Sequence, residues 1–97
     1  MKPVLPEADD PFEALAEFGP PLVKALMDVD SRKAVVVRDA LHILVGRPRK
    51  ASRTVFMVEH AVFEDIYIWV LDRPRSAQAR KHLEIVLEAM KRAIKRL

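Results

Sequence analysis

The stretch SRTVFMVEHAVFEDIYIWVLD, residues 52–72, decides the fold. Two readings compete for it. As a helix it carries Val55, Val58, Val62, Ile66 and Trp69 at helical spacing, with Phe56, Phe63 and Val70 widening that face. Ser52 supplies a cap, and Pro74 forbids continuation past about Asp72. Met57, Ala61, Ile68 and Leu71 fall on the far side, so such a helix is apolar nearly all round. As a hairpin, 54–60 and 66–71 would be strands, and the run Ile66 to Leu71 has the β propensity for it. The loop would then be Ala61 to Asp65, which contains no Gly, Asn or Pro. Tight hairpins lean on those residues. The helix is therefore expected, with an α+β fold carrying a hairpin at 54–71 as the alternative.

The flanking segments follow the helical reading. The chain has no Asn, and its only glycines are Gly19 and Gly46. Ser76 precedes a segment in which Ala79, Leu83, Val86, Met90, Ala93 and Leu97 alternate steps of four and three. This is the seam of an amphipathic helix, with Glu84, Glu88, Lys91, Arg92 and Lys95 opposite. Upstream, Ser31 stands as a cap for a helix over 32–45. Val36, Val37, Ala40, Leu41, Ile43 and Leu44 lie on one side of it, and Gly46 ends it. Asp10-Pro11 opens a short helix that is expected to stop at Gly19-Pro20-Pro21, with a second short one through Met27. Residues 1–10 hold Pro3, Pro6 and three acids and read as an extended acidic arm. The expected fold is all-α: one domain over 11–97, a compact bundle of four or five helices, or an intertwined helical dimer. The 52–72 helix is expected at its centre or in a dimer seam.

Charge is unevenly spread. Residues 1–30 carry two Lys/Arg against seven acids, whereas residues 31–97 carry 15 against seven, so the total of +3 hides an acidic front and a basic body. A field of one sign selects partners. If helices 31–45, 52–72 and 76–97 run up, down and up, Arg47, Arg49, Lys50 and Arg53 share one end of the bundle with Lys91, Arg92, Lys95 and Arg96. That cluster suits nucleic-acid phosphates. Arg73, Arg75, Arg80 and Lys81 form a smaller cluster at the other end. Within the larger one, Gly46-Arg47-Pro48-Arg49-Lys50 resembles the core of an AT-hook. The resemblance implies arginines lying along a narrow minor groove, with Gly permitting close approach and Pro holding the chain extended.

Other chemistries find little support. The absence of Cys excludes disulfides and thiolate sites and fits a cytoplasmic location. The N-terminus has no signal-peptide pattern. The most apolar stretch, 54–71, contains Glu59, His60, Glu64 and Asp65 and is not expected to span a membrane. Ser31, Ser52, Thr54 and Ser76 all sit where helices begin, so capping accounts for their hydroxyls. His42, His60 and His82 lie on three helices without the paired spacing of a helical metal site. No metal, no cofactor and no enzymatic activity are expected. Glu59, between Phe56 and Phe63, is expected to be paired, either with an arginine such as Arg32 or Arg73 or across a dimer interface. The leading expectation is a non-enzymatic, nucleic-acid-binding or nucleoprotein accessory domain. The alternative is a protein-interaction module (adaptor, inhibitor or assembly subunit) that uses an apolar helix face and the acidic arm. Under either reading the chain is expected to self-associate as a dimer, through the 52–72 or the 76–97 helix.

Overall fold

The computed structural model describes residues 10–46, 48 and 50–97. They form four α-helices: α1 (Pro11–Met27), α2 (Ser31–Leu44), α3 (Arg53–Val70) and α4 (Ala77–Arg96). No strand occurs among the described residues, and 53–70 is one continuous helix. The hairpin alternative therefore fails, because its loop would have to be made of Ala, Val, Phe, Glu and Asp.

The first helix corrects the expected break. α1 runs straight through Gly19, Pro20 and Pro21. Two prolines remove two N–H donors, so the carbonyls of Ala16 and Glu17 lose their partners four residues on. Both residues are exposed, where water can serve those carbonyls. Offsetting the strain is the burial that continuity allows. Leu15, Leu22 and Leu26 lie fully inside, and burying a Leu contributes about 1.5–3 kcal/mol. Gly19 lets α2 approach: a Cβ there would stand 3.0 Å from Cδ1 of Leu41. Asp10 caps the helix, its Oδ1 accepting from the Phe12 N–H at 2.9 Å.

The cap of α2 lies one residue earlier than expected. Asp30, not Ser31, accepts the N–H groups of Arg32 and Lys33. Its buried line is Ala34, Val37, Ala40, Leu41 and Leu44, while Val36 and Ile43 of the expected stripe face outward. Val45 ends the helix with φ −102°, and neither glycine has positive φ, so Gly46 is no left-handed cap.

Packing order differs from chain order. α1 lies against both α2 and α4, α3 lies against α4, and α2 touches α3 only sparingly. The centre is thus the α1–α4 pair, not α3. α4 buries Ala79, Leu83, Val86, Met90 and Ala93 of the expected seam, with Ala89 added, whereas Leu97 is exposed. α3 buries only Phe56, Phe63, Ile66 and Val70. Its expected inward line is rotated, since Val58 is exposed and Val55, Val62 and Trp69 are half-buried. The core closes within one chain, with a radius of gyration of 12.5 Å, about that of a compact 100-residue domain.

Candidate nucleic-acid interface

The short connections 28–30 and 71–76 make α1–α2 and α3–α4 antiparallel pairs. A hydrogen bond from the Tyr67 hydroxyl to Glu84 Oε1, 2.9 Å, sets the register of the second pair. Stepping 14 residues back along α3 from Tyr67 brings Arg53 level with Leu97, 13 residues beyond Glu84. The starts of α1 and α3 meet through Phe12 and Phe56, whose rings lie edge to face at 5.7 Å and 89°. Arg96 Nη1 lies 4.0 Å from Asp10 Oδ1, which ties the end of α4 to the start of α1. One end of the bundle therefore gathers the starts of α1 and α3 and the ends of α2 and α4. Two helix N-termini and two C-termini offset each other's dipoles, so side chains set the field there.

Of the eight cations expected at this end, Arg47 and Arg49 lie outside the described residues. The AT-hook resemblance is reduced here to Gly46, Pro48 and Lys50. The other six are placed on the residues beside the start of α3 and on the last turns of α4. Lys50 and Arg53 are exposed, and the Ser52 hydroxyl between them accepts the Val55 N–H at 3.2 Å. Lys91 and Lys95 are exposed on α4. None of these four makes an ion pair with a described residue. The remaining two are partly neutralised, because Arg92 Nε lies 3.5 Å from Glu88 Oε1 and Arg96 faces Asp10. Exposed pairs of this kind contribute about 0–1 kcal/mol and dissociate readily in salt.

The opposite end handles charge differently. The Trp69 ring carries Lys33 Nζ at 4.5 Å and the Arg73 guanidinium carbon at 4.4 Å from its centroid. Sequence reasoning placed Trp69 in the core and missed both cations. The Trp69–Arg73 spacing of four residues was readable in the chain, although Arg73 lies just past the end of α3, whereas Lys33 arrives from α2 and left no local sign. Arg80, beside the Tyr67–Glu84 pair, has its Nε buried without a hydrogen-bond partner. Glu84 accepts the hydrogen bond from the Tyr67 hydroxyl, and this, with burial and the nearby carboxylate charge, pushes the phenol above its ordinary value of 10.0. The Ser76 hydroxyl does not cap α4; it donates to the Arg73 carbonyl at 2.7 Å.

Two further expectations change. Glu59 is half-buried and pairs with no described residue, so neither Arg32 nor Arg73 is its partner. The rotation of α3 brings it toward solvent and removes the need for one. The histidines are kept apart: His60 Nδ1 lies 3.4 Å from Glu64, and His82 Nδ1 lies 2.8 Å from the Gln78 carbonyl. Among the described residues, no group of three His, Asp or Glu side chains could hold a metal ion, and no helix is long and apolar enough to cross a membrane. Comparison with known proteins finds no matching family, no similar curated protein and no similar solved structure.

Proposed function

We propose that this chain is a non-enzymatic basic helical domain that engages nucleic-acid phosphates through the end formed by the start of α3 and the close of α4. The observation that carries this reading is the set Lys50, Arg53, Lys91 and Lys95: exposed, on the first residue of α3, the segment just before it and the last turns of α4, and without carboxylate partners among the described residues. Phosphate contacts by such residues position a protein on a duplex without reading sequence. The test is fluorescence anisotropy of a short labelled duplex titrated at several salt concentrations. The reading predicts an affinity that falls linearly on a log–log plot, with a slope of about −0.9 for each phosphate contacted. Absence of binding at low salt would contradict it.

A second reading is favoured by a separate observation. α3 leaves Met57, Val58, Ile68 and Leu71 exposed at 52%, 55%, 65% and 47%. Together with the small exposed Ala61 they mark an outward apolar stripe that exposed Glu64 and Asp65 interrupt midway. This stripe suits a protein partner or a second copy of the chain, through α3 and not α4, whose apolar face is already covered. Light scattering at micromolar concentration separates the cases. A dimer that falls to the 11.1 kDa species on substitution of Met57 and Ile68 by Ser supports homodimerisation.

A further inference from the structure

A groove of about 430 Å³ runs between α1 and α2. Its walls are apolar, with Leu15, Gly19, Pro20, Val23, Leu41 and Val45 among them. Three cationic or titratable groups border it, Lys24, Arg38 and His42, and no carboxylate lines it. The close approach of Gly19 to Leu41 fixes the register of the antiparallel pair. Moving from Gly19 to Lys24 on α1, and from Leu41 back to Arg38 on α2, leads toward the same end. Lys24 makes no ion pair among the described residues, and Arg38 is held only by exposed Asp39 at 3.3 Å. An apolar trough with two cations at one end complements a single anionic head on an aliphatic tail.

We propose that this groove binds a free aliphatic carboxylate, its chain along Gly19, Val23, Leu41 and Val45 and its carboxylate between Lys24 and Arg38. The proposal is independent of the nucleic-acid reading, since it uses another face of the molecule. A pocket of this size with few polar groups is typical of small-molecule sites.

The test is an NMR titration of the full chain with decanoate below its micelle concentration, beside decyltrimethylammonium as the cation with the same tail. The expected result is saturable shifts of the Val23, Leu41 and Val45 methyls with decanoate and weaker binding of the cationic counterpart. Each methylene removed from the tail should weaken binding about fourfold, as burial of one methylene contributes about 0.8 kcal/mol. The double variant Lys24→Ala with Arg38→Ala should lose about tenfold or more in affinity. Ala16→Trp, at an exposed groove position, should block the tail while an otherwise unchanged amide spectrum shows the fold intact. Equal binding of the two amphiphiles, shifts that do not saturate, or full affinity in the double variant would overturn the proposal. So would decanoate acting by splitting a dimer seated on the groove, because the occupant would then be a second copy.

Discussion

The two ends of this bundle hold similar numbers of cations and engage them through different groups. At the end where α3 closes and α4 begins, Lys33 and Arg73 lie on the single tryptophan and Arg80 is drawn in beside Tyr67 and Glu84. A ring or the Tyr67–Glu84 pair engages each of these three, while Arg32, Arg75 and Lys81 at the same end stay exposed. At the end where α3 starts and α4 finishes, Lys50, Arg53, Lys91 and Lys95 project into water without a described partner, while the contact that closes the structure there is aromatic, Phe12 on Phe56. The lesson is that counting basic residues does not locate a binding surface. What distinguishes a surface free to take phosphates is whether a neighbouring ring or carboxylate has already taken the cation.

The comparison can be broken from either side. The largest effect is expected from Phe56→Ala, which removes a fully buried ring and one half of the Phe12 contact. Stability should fall by about 3–5 kcal/mol, read by urea unfolding. A loss below 1 kcal/mol would mean that the aromatic pair does not fasten this end. Trp69→Ala at the other end should cost less, about 2–3 kcal/mol, because the ring is only half-buried and part of its contribution comes from the two cations. Lys33→Leu should cost about 0.5–1 kcal/mol and alter the emission of Trp69, the only tryptophan in the chain. Unchanged emission would show that Lys33 does not sit on the ring in solution.

Smaller effects sharpen the picture. Tyr67→Phe should cost about 0.5–1.5 kcal/mol by deleting the hydrogen bond to Glu84. The same bond makes a pH prediction. The phenol is raised in the folded state, so the unfolded chain ionises first. Its stabilising contribution is complete below the unfolded value of 10.0 and is lost as pH rises through the folded value. Thermal midpoints measured from pH 8 upward should therefore fall above about pH 10, and the part due to Tyr67 should vanish in the Phe variant. The smallest effect belongs to Arg75, whose φ of 59° is left-handed. Glycine relieves that conformation but loses more freedom on folding. Arg75→Gly should stabilise by about 0.5 kcal/mol, and a clear loss would show that the Arg75 side chain itself matters.

Much of this was legible in the chain. The alternation of fours and threes from Ala79 to Ala93 marked the buried side of α4, and the antiparallel run of helices brought Arg53 to the end of α4. Two things were not legible. Gly19-Pro20-Pro21 reads as a stop by local rules, and the helix survives it only because Leu15, Leu22 and Leu26 are buried by α2 and α4, which no local window contains. α3 reads as the centre because its apolar residues lie nearly all round it. Burial follows the sharpness of an apolar stripe as much as its total, and α4 with its one clean face displaced α3 to the flank. That displacement also explains Glu59, which faces partly outward without a partner.

The most direct test of the central claim removes the same charge from each end. One variant replaces Lys50, Arg53, Lys91 and Lys95 by Ala, and the other replaces Arg32, Lys33, Arg73 and Lys81. Each takes the formal net charge from +3 to −1, so bulk charge cannot separate them. The measurement is the salt dependence of duplex binding, with both variants first confirmed as folded by circular dichroism. The account predicts that the first variant loses about 0.9 from the log–log slope for each phosphate contact removed, while the second keeps most of the original slope. Equal losses in the two variants, or a first variant that binds as the unmodified chain does, would contradict it.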